Sequence, residues 1–230
     1  MILGVYGYSK TGKTVLITEL TQRLTSEGYD IVTIKHIPHE DFTVDAENKD
    51  TWLHAHAGAS AVVASSPAET AFIVKSGMEL ERIIEIIQKS LNPDLILVEG
   101  YKDEDMPKIA VGDIEEKPNT VFRYDGDLGE VLQYIKRTIG AEKINKQMPG
   151  LNCGKCGLEC AKMAELIYDG EKNLTDCPSF SQLNVMVEAD GEGIPLGHFT
   201  RELIANVING ILSSLKGTAD ANELKIILRR

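Results

Sequence analysis

Short apolar runs alternate with helix-like periodicities over the first 140 residues or so. Met1 to Tyr6 reads as a strand, and Val15, Leu16, Leu20 and Leu24 then recur on one face of a helix that Gly28 stops. Ile31–Ile34, Ala61–Ala64 and Ala71–Val74 read as further strands, and Leu80, Ile83, Ile84, Ile87 and Leu91 mark a second helix. Leu95–Val98 is a continuous apolar run, the pattern of a strand in a parallel sheet covered on both faces. Ile109–Val111, Val121–Phe122 and a helix near 127–139 close the series. Strands alternating with helices predict an α/β domain with right-handed crossovers.

The pattern changes after that. Gly140–Gly150 is polar, with Lys143, Asn145, Lys146, Gln147 and Pro149, and reads as a linker. A cysteine segment follows. Val185 and Val187 then alternate with polar neighbours up to an Asp190-Gly191 turn. Phe199, Leu203, Val207, Ile211 and Leu215 recur at a spacing of four, predicting an amphipathic helix with a buried face, and Leu224–Leu228 reads as a closing strand. The expected organisation is a nucleotide-type domain over 1–142, a cysteine module over 150–180 and a small α+β unit over 182–230.

A chain of 230 residues suits one ordinary domain plus smaller units, and 43% hydrophobic with 26% charged residues is average for a soluble globular protein. The net charge of -11 argues against nucleic acid or an anionic membrane surface as the main partner. No apolar run approaches the roughly 20 residues of a membrane span. Met1–Gly7 lacks the positive region and long apolar stretch of a signal peptide, so the expected location is the cytoplasm. All 4 Cys lie between residues 153 and 177, and in a reducing compartment such a cluster points to metal before disulfides.

The strongest chemical signal is Gly7-Tyr8-Ser9-Lys10-Thr11-Gly12-Lys13-Thr14, which satisfies G-x-x-x-x-G-K-[ST] between a strand and a helix. Its backbone amides, those of Gly7, Ser9, Lys10, Thr11, Gly12, Lys13, Thr14 and Val15, are the candidate phosphate contacts, helped by the positive end of the following helix. Lys13 would reach the β- and γ-phosphates, and the Thr14 hydroxyl would ligate Mg²⁺. Such a loop needs an acidic partner. Glu99, ending Asp94–Val98, stands where a Walker B carboxylate would, either to hold the Mg²⁺ water shell or to orient an attacking water. The blander alternative is a solvated carboxylate at a strand end. Asp45 and Asp50 are weaker metal candidates, because loops before helices are often acidic. Asn48-Lys49-Asp50-Thr51 does not fit the guanine-reading N-K-x-D pattern, so base choice stays open between GTP and ATP.

Three blocks together resemble the molybdopterin-guanine dinucleotide biosynthesis protein B (MobB) family. They are the phosphate loop; Thr33-Ile34-Lys35-His36 with His39, Asp45, Lys49-Asp50-Thr51 and Ala57-Gly58-Ala59; and Leu97-Val98-Glu99-Gly100-Tyr101-Lys102 with Pro107-Lys108-Ile109. The resemblance covers residues 1 to about 140. It implies a P-loop NTPase-like, mostly parallel sheet flanked by helices, and a dimeric GTP-binding protein with at most slow hydrolysis. The implied partner is the guanylyltransferase that joins GMP to molybdopterin, giving the dinucleotide form of the molybdenum or tungsten cofactor. Lys35 and His36 become candidate substrate contacts. Glu47-Asn48 stands where the family usually carries Pro-Gly, which puts the loop shape and a metal role for Asp45 in question. His36, His39, His54 and His56 otherwise read as a strand-end histidine and an exposed helix pair, and Trp52 as packing.

Cys153, Cys156, Cys160 and Cys177 form a C-x2-C-x3-C-x16-C pattern that resembles small [4Fe–4S] domains, which usually place four residues between the second and third cysteine. A helix over Ala161–Tyr168 would bring Cys177 back to the other three. A Cys₄ zinc site is the main alternative, although the second C-x2-C knuckle is missing, and thiols without metal are a third. Three functions compete: a cofactor-maturation accessory protein, a nucleotide-gated iron–sulfur electron-transfer ATPase, and a small-molecule kinase. The kinase would need an arginine-rich lid, for which only Arg82, Arg123 and Arg137 are at hand between residues 28 and 140.

Overall fold

In the computed structural model, β1 (Ile2–Tyr6) leads into α1 (Lys13–Ser26), followed by β2 (Ile31–Lys35), α2 (Asp50–His56), β3 (Ala61–Ser65) and β4 (Thr70–Val74). Then come α3 (Leu80–Ser90), β5 (Leu95–Glu99), β6 (Lys108–Val111) and β7 (Thr120–Tyr124). The structure describes residues 1–39, 41–181, 185, 187–189, 192–194, 196, 198–212 and 215. The strand read at Leu224–Leu228 and the Asp190-Gly191 turn lie outside the described residues. The chain divides into two compact units, Met1–Leu128 and Gly129–Arg230.

In the first unit, five strands make a sheet in the order β2-β5-β1-β6-β7, and every neighbouring pair is parallel. β5 is buried along its apolar length because it lies between β1 and β2 with side chains on both faces. On one face Ile34, Ile96, Val98 and Met106 join Leu80 of α3, with Ile83, Ile84 and Ile87 packed against them. Each fully buried aliphatic contributes about 1.5–3 kcal/mol. By strand alternation Leu3, Val5, Leu95 and Leu97 face the other side, and α1 packs across β1, β2 and β5. This is an α/β, P-loop NTPase-like sheet flanked by helices. Gly28 ends α1 as expected: at φ 89° it turns the chain, and the Tyr29 amide donates back to the Leu24 carbonyl.

Two expectations change here. Val15 is 60% exposed, and the buried stripe of α1 is Leu16, Ile17, Leu20 and Leu24. Among the described residues β3 and β4 pair only with each other, as an antiparallel hairpin outside the parallel sheet. The turn Ser66–Glu69 closes it, with the Ser66 hydroxyl oxygen accepting the Ala68 and Glu69 amides.

The second unit opens with α4 (Gly129–Gln147), which runs through most of the segment read as a linker. The reason is tertiary. A Cβ at Gly140 would stand 2.0 Å from the Tyr168 ring, so this glycine is a notch for an aromatic side chain of α5 (Cys160–Tyr168). Arg137 bridges the same two helices, with its guanidinium donating to both Asp169 carboxylate oxygens and to Glu165. Beyond α6 (Pro178–Ser181), a short hairpin of β8 (Val187–Ala189) and β9 (Glu192–Ile194) precedes α7 (His198–Leu212). The stripe expected to be buried on α7 is exposed: Phe199, Leu203, Val207 and Ile211 are all more than half accessible. At about 40° per step on a 3.6-residue helix a spacing of four keeps these four residues within about 120° of one another, and the opposite side of the helix is the one that is buried. Arg201 and Ala205 lie there and are buried among the described residues.

Candidate nucleotide site and cysteine module

The phosphate loop spans the turn from β1 into α1. Gly7 has no room for a side chain, since a Cβ there would meet the Val111 carbonyl oxygen at 2.3 Å and the Thr11 hydroxyl at 2.8 Å. Gly12 caps α1 in the left-handed region, φ 99°, where glycine pays no steric penalty. No side chain caps this helix, and its first backbone hydrogen bond runs from Leu16 to Gly12. The helix geometry therefore leaves the opening amides of Lys13, Thr14 and Val15 directed at an incoming anion. Lys13 meanwhile donates its ammonium to the Tyr8 carbonyl within the loop.

Sheet register then decides which acid meets the loop. Glu99 lies opposite Val5 on one side and Lys35 on the other. The Thr14 hydroxyl donates to Glu99 Oε2 at 3.2 Å, and Lys35 Nζ stands 3.6 Å from Oε1. The Glu99 side chain is only 14% exposed, so it faces the loop and not bulk solvent. Thr14 and Glu99 are thus the hydroxyl and carboxylate that would hold a phosphate-bound Mg²⁺.

Asp45 has other partners. Its side chain is nearly buried, accepts a hydrogen bond from the Thr51 hydroxyl at 2.7 Å, and lies 3.8 Å from Lys75 Nζ. The Thr51 hydrogen bond and the Lys75 ion pair tie the Asp45 loop to α2 and to the end of β4, and Asp45 Oδ2 is left buried without a hydrogen bond among the described residues. Asn48 adopts φ 60°, the left-handed conformation a glycine supplies freely and asparagine tolerates, so the departure at Glu47-Asn48 keeps such a turn available. None of the three arginines forms a lid. Arg82 pairs with Glu85; Arg123 donates to Gly112 and Ile114 carbonyls and to Glu116; Arg137 is held by Asp169 and Glu165. Arg123 instead fastens the loop after β6, whose Gly112 abuts Thr11. His54 and His56 lie on the exposed face of α2, and Trp52 stacks on His56 with ring centroids 3.4 Å apart.

Beside Glu99 the structure adds a feature that residue spacing did not reveal. Gly100 and Tyr101 both have positive φ, 95° and 48°. For tyrosine this costs of order 1–3 kcal/mol, strain typical of ligand sites. The turn lays the Tyr101 ring on His36, centroids 4.4 Å apart and planes 27° from parallel. Burial, with Glu104 and Glu79 nearby, pushes the Tyr101 phenol above its usual range. Lys108, 1% exposed, holds this loop from below, its ammonium donating to the carbonyls of Lys102 and Glu104. A lone lysine heading the apolar run Ile109–Val111 was the available sequence signal.

In the second unit, no disulfide joins the cysteines. Cys177 is buried with Met148, Met163 and Ala164, and Cys156 and Cys160 pack against that cluster together with Leu158, Leu174 and Phe180. Cys153 lies at the exposed rim, 3.3 Å from the Ser179 hydroxyl, whose hydrogen bond lowers the thiol's pKa below its ordinary value. Gly154 and Gly157 take positive φ between the first thiols, and Asn152 accepts the Cys160 amide. Among the described residues no three His, Cys, Asp or Glu side chains stand at metal-ligating distances from one another. The all-thiol donor set in an apolar surround nevertheless suits an iron–sulfur cluster in its chemistry.

A parallel sheet with a phosphate loop after β1 and a carboxylate at the end of β5 defines a P-loop NTPase-like protein. Residues 2–131 match the family described as MobB, molybdopterin guanine dinucleotide synthesis protein B; the match covers more than half of the chain, and the chain belongs to that family. Residues 148–179 match a second family, described as "Putative Fe-S cluster". A Methanocaldococcus jannaschii protein, provisionally named a molybdopterin-guanine dinucleotide biosynthesis adapter protein, is 28% identical over 239 residues, covering 98% of this chain and 96% of that one. The Haemophilus influenzae adapter protein of the same name is 36% identical over 112 residues, covering 48% of this chain and 62% of its own length. The chain thus spans less than two thirds of that bacterial relative. The crystal structure of Bacillus subtilis MobB is 26% identical, covers 49% of this chain and 68% of its own, and superimposes with a TM-score of 0.44. Among the described residues no helix is long and apolar enough to cross a membrane.

Proposed function

We propose that the chain is a GTP-binding accessory protein of molybdenum or tungsten cofactor biosynthesis, assisting a guanylyltransferase that attaches GMP to molybdopterin. The observation that carries the nucleotide part is the Thr14–Glu99 contact at the mouth of a helix whose opening amides are uncapped. GTP would lay its β-phosphate on the loop from Gly7 to Val15. Lys13 would leave the Tyr8 carbonyl for the β- and γ-phosphates, and Thr14 and Glu99 would hold Mg²⁺. The molybdopterin and transferase parts of the reading rest on family membership. So do the cytoplasmic location and a homodimer.

Cys153, Cys156, Cys160 and Cys177 would hold a [4Fe–4S] cluster, with zinc as the alternative occupant. When bound, the cluster supplies either a one-electron couple or a structural clasp. The matched iron–sulfur segment favours a second reading, an ATPase whose nucleotide state gates electron transfer. The two part at one measurement, because only the second predicts that nucleotide shifts the cluster's reduction potential. The direct test of the first is Lys13→Ala, expected to lose nucleotide affinity with the fold intact; unchanged affinity overturns the loop assignment.

A further inference from the structure

β2 and β5 are adjacent and parallel, so their ends bring Lys35-His36 beside Glu99-Gly100-Tyr101. The His36 amide donates to the Glu99 carbonyl at 2.9 Å. A Cβ at Gly100 would press on His36 Cβ at 2.8 Å, so this approach needs glycine. One face of the imidazole lies on Tyr101, and His36 as a whole is exposed. Tyr101 is fixed from beneath by packing against the core of Ile34, Leu80, Ile96, Val98 and Met106. The loop between Tyr101 and Pro107 is pinned by Lys108, a cation buried without a carboxylate at ion-pair distance among the described residues. A positive-φ tyrosine, a required glycine and a buried lysine together make a rigid two-ring shelf whose outer face is open to solvent. Planar heterocycles stack on such rings whatever their substituents.

The position of the shelf says which ring it does not take. A triphosphate on the loop puts its γ-phosphate toward Thr14 and Glu99, and its own base lies at the opposite, α-phosphate end of the molecule. A ring on the Glu99 side therefore belongs to another ligand. Lys35, 58% exposed and next to the shelf, offers a charge to an anionic group carried by that ligand. We infer that His36 and Tyr101 form a stacking site for a pterin-type heterocycle bearing an anionic substituent, bound alongside the nucleotide, with Lys35 as its counter-ion. The inference rests on the function proposed above, the bound nucleotide setting where the second ring lies and molybdopterin setting the choice of a pterin. Guanine shares the 2-amino-4-oxopyrimidine edge of a pterin, so the test must separate the two.

Pterin-6-carboxylate is titrated into the full chain saturated with a non-hydrolysable GTP analogue and Mg²⁺, following pterin fluorescence, and nucleotide affinity is measured on the same samples. The expected result is saturable quenching with nucleotide in place, about tenfold weaker in His36→Ala, which loses the ring the ligand stacks on, and weaker by less in Tyr101→Leu, which loses the ring that holds His36 in place. His36→Phe should keep the affinity, because a ring of similar area restores the shelf. Nucleotide affinity should stay unchanged in all three. Equal pterin affinity in His36→Ala and the unaltered chain overturns the inference, as does absence of pterin binding. Competition between pterin and nucleotide overturns it too, since the shelf would then hold the nucleotide's own base. A chain that binds no GTP at all is a separate failure, that of the nucleotide reading.

Discussion

The phosphate loop and the cysteine segment both turn glycine-rich backbone toward a ligand, yet they are built differently. The loop is held on every side by its own unit: Gly7 is wedged against Val111, Gly112 rests on Thr11, and Glu99 is delivered by a fully buried strand. The cysteine segment has one small apolar cluster, with Cys177 inside it and Cys153 at the rim. A site of the first kind exists before its ligand arrives. A site of the second kind is completed by the ligand, and binding free energy becomes folding free energy.

The largest expected difference follows from that contrast. Oxidative loss of iron, or Cys156→Ser, should abolish iron–sulfur absorbance and the protease resistance of residues 150–180, while nucleotide affinity stays as it was. Loss of nucleotide binding along with the iron would break the comparison. Next in size are Thr14→Ala and Glu99→Gln. Each removes a contact to a charged centre, about 1.5–3 kcal/mol, so Mg²⁺-dependent GTP affinity should fall about ten- to a hundredfold in calorimetry. Binding equally Mg²⁺-dependent in both variants would detach this pair from the metal.

The third effect is smaller and its sign is informative. Replacing a glycine by alanine within a helix normally stabilises by about 0.5–1 kcal/mol. At Gly140 the new methyl would displace the Tyr168 ring, an overpacking cost of about 1–3 kcal/mol. Gly140→Ala should therefore lower the unfolding midpoint of the second unit, and adding Tyr168→Ala should recover part of it. The smallest effect concerns Arg137. Its hydrogen bonds hold the Asp169 carboxyl below the usual range, and Lys162 followed by Arg137 does the same to Glu165. Depressed folded-state values give stability that is complete above the unfolded values, near pH 4, and lost as pH falls through the folded ones. Arg137→Ala should remove that extra loss, so the acid-induced part of the melting shift below about pH 4 shrinks.

These outcomes bear on what could be read from the chain alone. The phosphate loop and the Leu95–Glu99 strand were legible because fixed spacing and a continuous apolar run are local signals. The path through Gly140 was not: a glycine among polar residues looks like a break until the Tyr168 ring, 28 positions later, is set into it. The separate β3–β4 hairpin escaped for a similar reason, since apolar runs announce strands but not their partners. Val15 falls off the buried stripe once the helical rotation from Leu16 is followed, whereas the apolar spacing of α7 marks an amphipathic helix without saying which side of it the fold covers. The His36–Tyr101 shelf depends on two consecutive positive φ angles, and only the first falls on a glycine.

The central claim is that the loop from Gly7 to Val15 binds a nucleoside triphosphate with Mg²⁺. Calorimetric titration of GTP with Mg²⁺ into the full chain and into Lys13→Ala tests it most directly. Saturable binding by the unaltered chain, lost in a Lys13→Ala protein that keeps the same circular dichroism, is the predicted result. Equal affinity in both, or none in either, would contradict it.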